Sequence, residues 1–500
     1  MELRELCYGA KIKCPDYKGS IDITNVVSDS REVRDGSLYV CIRGLHYDGH
    51  YFIREALRAG ASAIVTEEGA HAECDGAAFL NITVPKCRQS LACLLDAWYG
   101  SPSKKMKFVA VTGTNGKTSV TCILKSIFEA AGYRCGLIGT ISCLSENRRL
   151  FSDKRDKLAN MTTPDPEDLY SMLAQMVDDG VEYVFIEATS HALALDRLAA
   201  IRFDCGIFTN LTVDHLDFHN DMDNYLSAKQ KLFAVCDTSV INADSNYYNC
   251  IAEACDGRVV TCAVNKKDVN YYAYDICTKN MFGLSYKLLC NNNEFQIYSQ
   301  LNGAFNVMNT LEAVACSIEL GLPKETVLRA VEDFKGIIGR LEKLELPSCA
   351  DFAVYIDYAH TPDALENLLS SVIGIKNEQN RIVLIFGCGG DRDKSKRPIM
   401  GEIATRLADL VVITSDNSRS ESPLNIISQI IQGVGDRNNY VIIEERKKAI
   451  QNTVANAQKN DIIVLAGKGH EKYEINVFGR VPFDEKKIVE EAVKRRYGLL

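Results

Sequence analysis

The chain has 500 residues, which is too long for one hydrophobic core and indicates roughly two to four domains. Its content of 46% hydrophobic and 25% charged residues is ordinary for a soluble globular chain. A net charge of −9 argues against a dedicated nucleic-acid binder, because such proteins usually carry a basic face.

The sequence shows no sign of secretion or membrane insertion. Its N-terminus lacks an apolar run long enough for a signal peptide, and no stretch approaches the roughly 20 apolar residues of a membrane helix. The 19 cysteines are scattered singly and form no C-x-x-C pair, which favours reduced, mostly buried thiols over disulfides or zinc ligands. We therefore expect a cytoplasmic protein, without nucleic acid or membrane partners, that acts as a monomer.

Apolar strand-like runs alternate with helical patterns along most of the chain, which predicts an α/β fold. Two turn-rich seams interrupt the alternation, YGSPS at 99–103 and GIIGR at 336–340. They divide the chain into predicted domains 1–100, 101–336 and 337–500. The last domain has continuous Val, Ile and Leu runs, which predict the buried parallel strands of a Rossmann-like domain. It lacks the glycine fingerprint of dinucleotide-binding domains.

The strongest local signal follows the predicted strand 108–111. TGTNGKTS at 112–119 opens a segment with helical apolar spacing, so its backbone N–H groups can bind phosphate at a helix N-terminus. Lys117 would lie between phosphates, and Thr118 would bind Mg²⁺. Counted from Gly113, the loop is one residue shorter than the common P-loop, which argues against an ordinary kinase or GTPase. The predicted phosphate-binding residues are Gly113, Thr114, Asn115, Gly116, Lys117, Thr118 and Ser119.

Polar residues also follow two later strands. Strand 183–186 ends in Glu187, where a second magnesium ligand belongs beside a P-loop. NLTVDHLDFH at 210–219 follows strand 205–209 and holds two histidines and two aspartates. These side chains could bind a metal or cap the following helix, and we favour a metal for His215.

At this point the sequence resembles a known family, the Mur ligases, and within it the MurE type. The resemblance runs from about residue 25 to residue 490 and rests on several separate motifs. Besides TGTNGKTS, they are DSR at 29–31, TTPDP at 162–166, EATSHAL at 187–193, NLTVDHLDFH at 210–219, YLSAKQKLF at 225–233, LNGAFNVMN at 301–309, GRLE at 339–342, DYAHTPDALE at 357–366, GGDRDKSKRP at 389–398, SDNSR at 415–419 and AGKGHE at 466–471.

The resemblance implies a three-domain ligase that adds the third residue to UDP-N-acetylmuramoyl-L-alanyl-D-glutamate in peptidoglycan synthesis. The N-terminal domain would hold the UDP moiety, the central domain would bind ATP, and the C-terminal domain would receive the amino acid. ATP would phosphorylate the terminal carboxylate, and the incoming amine would then displace phosphate. Such a reaction brings anions together and requires cations, including Mg²⁺.

The resemblance also assigns roles to single residues. Lys229 would be carbamylated by CO₂ and would bind metal with His215, although by itself a helical lysine is usually a solvated surface residue. Lys117, Glu187, His215 and Lys229 are therefore the predicted catalytic residues. Ser30, Arg31 and His46 would contact the UDP moiety, Thr162, Thr163, Thr189 and Arg197 the muramoyl peptide, and Asn306, Arg340 and Asp357 the nucleoside.

Two of these assignments have an alternative. Thr163 and Pro164 could simply start a helix, with Thr163 as N-cap and Pro164 at the first helical position. Arg340 lies at the domain seam, so it could instead form a hinge salt bridge.

Residues 416–419 indicate which amino acid the ligase would add as the third residue. Family members that add meso-diaminopimelate carry D-N-P-R, and lysine-adding members lack the arginine. This chain has Asp416, Asn417, Ser418 and Arg419, and Arg419 can grip a second carboxylate in a bidentate fork. Arg392, Gly467 and Glu471 match the other acceptor positions.

We expect meso-diaminopimelate, with lysine or another diamino acid as the alternative. A folylpolyglutamate or cyanophycin-type ligase is a rival on the same scaffold, but the DSR and DNxR motifs argue against it. A catalytically silent paralogue that only binds nucleotide is a rival of a different class.

Overall fold

The structure, a computed structural model, contains three main sheets in successive parts of the chain and one separate hairpin. The predicted α/β fold is confirmed. The structure describes residues 1–44, 47–69, 79–150, 161–280, 283–377 and 379–499.

The first sheet has four parallel strands that lie side by side in chain order. Its strands are β1 (Asn25–Val27), β2 (Ser37–Val40), β3 (Ala61–Glu67) and β4 (Asn81–Val84). The helices of this part are α1 (Leu3–Gly9), α2 (Ile53–Arg58) and α3 (Cys87–Trp98).

The second sheet has eleven strands, of which seven consecutive ones are parallel neighbours. Its strands are β5 (Lys107–Thr112), β6 (Cys135–Ile138), β7 (Cys143–Ser145), β8 (Arg148–Arg149), β9 (Tyr183–Glu187), β10 (Phe203–Phe208), β11 (Cys236–Asn242), β12 (Arg258–Ala263), β13 (Tyr271–Asn280), β14 (Gly283–Cys290) and β15 (Asn293–Ser299). Its helices are α4 (Lys117–Ala130), α5 (Pro166–Asp178), α6 (Ser190–Ala194), α7 (Leu216–His219), α8 (Met222–Phe233), α9 (Tyr248–Glu253), α10 (Phe305–Glu319) and α11 (Lys324–Asp333).

The order of these strands positions the site. β5 lies between β9 and β10, and all three are parallel. Their carboxyl ends therefore meet at one edge of the sheet, where ligands bind in open α/β folds. The phosphate-binding motif follows β5, the DHLDFH segment follows β10, and Glu187 is the last residue of β9.

The third sheet has the strand order β16-β17-β21-β18-β19-β20 and is parallel except at β16. Its strands are β16 (Glu342–Lys343), β17 (Ala353–Asp357), β18 (Ile382–Phe386), β19 (Leu410–Ile413), β20 (Tyr440–Ile442) and β21 (Ile462–Ala466), and the separate hairpin consists of β22 (Tyr473–Asn476) and β23 (Gly479–Pro482). The helices are α12 (Pro362–Ile375), α13 (Lys396–Leu407), α14 (Pro423–Ile431), α15 (Arg446–Ala455) and α16 (Glu485–Arg496). Apolar clusters cover both faces of this sheet, as the continuous apolar runs predicted.

Two local interpretations of the sequence are wrong. Helix α5 begins at Pro166 with Asp165 as its N-cap, so Thr163 caps no helix. Its hydroxyl donates instead to the carbonyl of Glu187 at 2.6 Å. Lys229 is not a solvated surface lysine, because only 1% of it is exposed.

The cysteines in the described ranges are free and mostly shielded from solvent, as the sequence predicted. All described cysteines are free, and only Cys277 and Cys349 among them are exposed. Within the same ranges, no helix combines the length and the apolar character needed to cross a membrane.

Glu312 is a fully buried carboxyl group on α10. Neither of its oxygens has a hydrogen-bond partner within the described ranges. Burial raises the pKa of Glu312 well above its usual value of 4.5, so the folded chain holds this group protonated. The unfolded chain releases that proton near pH 4.5. Stability therefore falls as pH rises from there towards the folded-state pKa, by at most about 1.4 kcal/mol per pH unit.

We expect Glu312→Gln, which cannot ionise, to be increasingly more stable than the parent chain as pH rises above about 4.5. The midpoint of the urea transition, measured from about pH 5 to about pH 8, checks this expectation. Glu319→Gln on the same helix is the control, because Glu319 pairs with Arg258 and Tyr271. A stability difference for Glu312→Gln that does not change with pH would show that this carboxyl stays ionised in the folded chain.

Candidate active site

The loop between β5 and α4 has the backbone of a phosphate-binding loop. Gly116 is the N-cap of α4 with φ of +91°, and Gly113 has φ of +151°. A Cβ at Gly116 would lie 2.6 Å from Oδ1 of Asn309, and one at Gly113 would lie 1.9 Å from Oγ1 of Thr209. Both positions therefore require glycine, and the loop directs N–H groups of the α4 N-terminus towards the cleft.

Lys117 lies over this loop. Its Nζ donates to the carbonyl oxygens of Gly113 at 2.8 Å and Thr114 at 2.9 Å. Burial lowers the pKa of Lys117, while Glu187 and Asp214 act in the opposite direction. An incoming phosphate would supply a further negative charge to this ammonium group.

Glu187 ends β9 and is the central acceptor of the neighbouring polar cluster. Its Oε2 accepts from Thr118 Oγ1 and Thr140 Oγ1, both at 2.9 Å, and its Oε1 accepts from the Thr140 N–H at 2.8 Å. The structure thus brings Thr118 and Glu187 into direct contact. Thr140 was missed, although its position just after strand β6 is the kind of signal that singled out Glu187.

The histidines after β10 have different environments. His219 is buried, and its Nε2 lies 2.9 Å from Ser190 Oγ. His215 faces the cleft with φ of +54°, and its ring packs against His191. Loss of solvent lowers the pKa of His215 against the opposing pull of Asp214, so its ring is neutral near pH 7. A neutral imidazole is the form that binds metals.

Lys229 on α8 lies beneath the cleft and does not line it. Its Nζ lies 4.6 Å from the centroid of the Tyr225 ring, and the Tyr225 hydroxyl contacts Thr114 of the phosphate loop at 3.2 Å. Burial lowers the pKa of Lys229 well below its usual value of 10.5, and the charge of Lys117 adds to this effect. Both effects favour the neutral amine, which is the nucleophilic form.

A cavity of about 1110 Å³ joins the central and C-terminal parts of the chain. Across it, Asn115 Nδ2 donates to Asp363 Oδ2 at 2.6 Å, and Arg340 Nη2 donates to Thr118 Oγ1 at 3.1 Å. The predicted residues that line it are Thr114, Asn115, Gly116, Lys117, Thr118, Ser119, Thr162, Glu187, Thr189, His215, Arg340, Asp357, Arg392, Asp416, Asn417, Arg419, Gly467 and Glu471.

The three residues predicted to contact the nucleoside differ in their exposure to the cavity. Asp357 lines the cavity, but its carboxylate already accepts from the N–H groups of Leu341 at 2.6 Å and Ala359 at 2.7 Å. Asn306 does not line the cavity, because its amide donates to the Asn302 carbonyl at 2.7 Å. Asn309, one helical turn further along, lines the cavity instead and was missed.

The C-terminal end of the cavity holds all six predicted acceptor residues. Arg419 has φ of +51°, and its Nη1 donates to the Gly390 carbonyl at 2.7 Å. Burial and the nearby Asp416 raise the pKa of Glu471, which accepts from Asn417 Nδ2 at 2.8 Å. This end of the cavity therefore offers a guanidinium and a carboxylate, and the Nζ of Lys468 lies 3.8 Å from that carboxylate.

Lys468 is a buried cation beside the acceptor end that the sequence analysis did not single out. It is fully buried, its Nζ donates to Asn417 Oδ1 at 2.9 Å, and it lies 3.4 Å from Asp416. Its place in the AGKGHE motif was the available signal.

The residues predicted for the UDP moiety and the peptide are dispersed. A second cavity of about 220 Å³ is lined by Arg197, Arg88 and Asp29 among others. Ser30 and Arg31 line neither cavity, and Arg31 forms a bidentate pair with Asp29. Arg197 donates to the Thr163 carbonyl at 2.7 Å. The prediction for His46 lies outside the described residues.

Comparison with known proteins identifies three consecutive matches to family models. Residues 22–99 match the Mur ligase family, catalytic domain, residues 111–317 the Mur ligase middle domain, and residues 339–469 the Mur ligase, glutamate ligase domain.

Several full-length relatives are named UDP-N-acetylmuramoyl-L-alanyl-D-glutamate–2,6-diaminopimelate ligase. The protein of that name from Caldanaerobacter subterraneus subsp. tengcongensis is 40% identical, covering 98% of each chain. That from Clostridium tetani is 36% identical, covering 99% of this chain and all of the relative. A solved structure under the same name has 26% identity and a TM-score of 0.69, covering 99% of both chains.

Proposed function

The chain belongs to the Mur ligase family, and we propose that it joins meso-2,6-diaminopimelate to UDP-N-acetylmuramoyl-L-alanyl-D-glutamate with consumption of ATP. One observation carries the proposal. A single cavity places the phosphate loop and Glu187 at one end and Arg419 and Glu471 at the other. The names of the relatives supply the substrates.

The reaction has two steps. A carboxylate oxygen of the D-glutamyl residue attacks the γ-phosphorus of ATP, forming a P–O bond while the bond to ADP breaks. The amine of the acceptor then attacks the acyl carbon, loses a proton and displaces inorganic phosphate. Both steps concentrate negative charge, and Lys117 and Arg340 from opposite sides of the cleft are placed to offset it.

Mg²⁺ fits the oxygen donors at the phosphate end. Within the described residues, no cluster of three or more His, Cys, Asp or Glu side chains could hold a metal ion. Magnesium needs no such cluster, since it is usually held by one or two carboxylates together with substrate phosphates. Glu187, Thr118 and His215 would hold it, and bound Mg²⁺ would neutralise phosphate charge.

Lys229 suits the carbamate assigned to it. Because burial favours the neutral form of its amine, the nitrogen can attack CO₂, forming an N–C bond and releasing one proton. The product is an anionic oxygen group in a site that disfavours a cation. A carbamate on Lys229 would complete the oxygen donors around Glu187 and His215.

The acceptor end suits an amino acid with two ammonium and two carboxylate groups. Arg419 would hold the second carboxylate, and Glu471 would pair with the distal ammonium. Lysine has the distal ammonium but no second carboxylate, so it would leave Arg419 without a carboxylate partner. We propose that Arg392, Asp416, Asn417 and Gly467 complete the acceptor site.

We further propose that domains 1–100, 101–336 and 337–500 bind UDP, ATP and amino acid respectively. Each contains one of the three main sheets, and the family-model matches fall within the same divisions. Thr162 and Thr189 line the first cavity, Arg197 lines the second, and Thr163 contacts both Thr189 and Arg197. A peptide linked to UDP would pass along these residues.

Trapping the acyl phosphate tests this function. The purified protein should form ADP only with the UDP-dipeptide present, and hydroxylamine should convert the activated carboxylate to a hydroxamate detectable by mass. Omitting the diamino acid should leave the hydroxamate and abolish the amide product. ATP binding without any hydroxamate or amide would instead indicate a silent nucleotide-binding paralogue.

A further inference from the structure

Arg446, the first residue of α15, is a guanidinium buried behind the acceptor end of the cavity. Only 1% of it is exposed, and it does not line the cavity. A side chain that touches no substrate can still determine where substrate-binding loops lie.

Its contacts span two of those loops. Nη2 donates to the Ala466 carbonyl at 2.8 Å, and Nη1 donates to the Ser415 carbonyl at 3.5 Å. Ala466 ends β21 and directly precedes loop 467–471, while Ser415 directly precedes loop 416–419. Strands β19 and β21 are not neighbours, because β18 lies between them. One guanidinium therefore links two strand ends that share no ladder hydrogen bonds.

A buried counterion fixes the guanidinium in turn. Nε donates to Oε1 of Glu485 at 2.7 Å, and Glu485, the first residue of α16, is itself buried. Replacing such a buried ion pair by apolar residues is often neutral or stabilising. Stability alone is therefore a poor reason for an arginine here, whereas its forked donors suit two carbonyl groups at once.

The same guanidinium acts on the acceptor site electrostatically. Burial alone would raise the pKa of Asp416, but Lys468 and then Arg446 outweigh it and hold that pKa below its usual value. Asp416 thus remains an anion at the wall of the cavity.

We propose that Arg446 is a positioning residue for the amino-acid acceptor, fixing loops 416–419 and 467–471 relative to each other so that Arg419 and Glu471 grip opposite charges of one ligand. This inference rests on the proposed function of the cavity. Its effect belongs to acceptor binding, because the nucleotide contacts lie on other loops.

The test compares Arg446→Met and Arg446→Lys with the parent enzyme. For Arg446→Met, we expect the KM for the diamino acid to rise about 10- to 100-fold, since a displacement of about 1 Å in a positioned group has effects of that size. The KM for ATP should stay within about twofold. Arg446→Lys keeps the charge but can donate to only one carbonyl at a time. Its KM for the diamino acid should therefore lie between those of the parent enzyme and Arg446→Met.

Arg381→Met is the matched control. Arg381 forms a bidentate pair with the buried Asp461, at 3.0 and 2.7 Å. The two residues directly precede strands β18 and β21, so they lie at the amino ends of the strands, away from the acceptor loops. We expect this variant to lower the melting temperature while the KM for the diamino acid stays unchanged.

Equal changes in the KM values for the diamino acid and for ATP, or the same pattern in the Arg381 and Arg446 variants, would overturn the inference. If Arg446→Met does not fold, Arg446→Lys decides the question. The quantity to compare with the parent enzyme is then the KM for the diamino acid divided by the KM for ATP. All values are measured with the diamino acid that the parent enzyme accepts. A parent enzyme without diaminopimelate-dependent product thus counts against the proposed function, and an unchanged KM ratio counts against the role of Arg446.

Discussion

Replacing Lys229 by alanine should lower the ligation rate on the order of 10²- to 10³-fold, the range seen when one preorganised electrostatic group is removed. The methyl group cannot carry a carbamate, so an anionic oxygen group disappears from beneath the phosphate loop. Added acetate or formate should restore part of the activity by placing a carboxylate in the space left by the lysine side chain.

Lys231→Ala is the control on the same helix. Lys231 is partly exposed and pairs with Asp196 at 2.9 Å, so its replacement should leave ligation nearly unchanged. Phosphate release under saturating substrates measures both variants. Full activity in Lys229→Ala, or no response to acetate in an inactive but folded variant, would contradict the carbamate assignment.

Replacing Arg419 by alanine should raise the KM for meso-diaminopimelate about 30- to 1,000-fold. Removing a charge-assisted bidentate hydrogen bond from a partly buried site costs on the order of 2–4 kcal/mol. The KM for ATP should change little, because the phosphate loop lies at the other end of the cavity. Lysine has no second carboxylate for Arg419 to bind. We therefore expect the parent enzyme to use lysine poorly, and Arg419→Ala to use it equally poorly or slightly better.

Arg406→Ala provides the surface control for this experiment. Arg406 lies on α13 and pairs with Glu366 and Glu402 away from the cavity. Steady-state kinetics with each amino acid give the comparison. An unchanged diaminopimelate KM in Arg419→Ala would mean that residues 416–419 read a different feature of the substrate.

Much of the fold could be predicted because parallel strands buried on both faces have continuous apolar sequences. Strands β17, β18, β19 and β21 are of this kind. The hairpin β22–β23 was not predicted, since its short strands are mixed in polarity and pack outside a main sheet. The antiparallel pair β14–β15 alternates polar and apolar residues and carries no motif that places it at the edge of the central sheet.

Some parts of the candidate site could likewise be predicted from the sequence, and others could not. Thr118 and Glu187 could be placed together from sequence because Glu187 ends β9 and Thr118 lies at the start of the helix that follows β5. Neighbouring parallel strands bring their carboxyl ends to the same side of a sheet. The burial of Lys229 could not, because it depends on how α8 packs against segments distant in sequence, as in the contact between Tyr225 and Thr114. Arg446 gave no signal at all, since its contacts exist only once α15 and α16 have docked on the sheet.

The most direct test of the proposed function is the mass of the product formed with different amino acids. The enzyme is incubated with ATP, Mg²⁺ and UDP-N-acetylmuramoyl-L-alanyl-D-glutamate, and with meso-diaminopimelate, L-lysine or L-ornithine in separate reactions. We predict one main product, the UDP-dipeptide plus meso-diaminopimelate minus one water, with equimolar ADP and phosphate. A preferred product with L-lysine, or ADP formation without any amide product, would contradict the proposal.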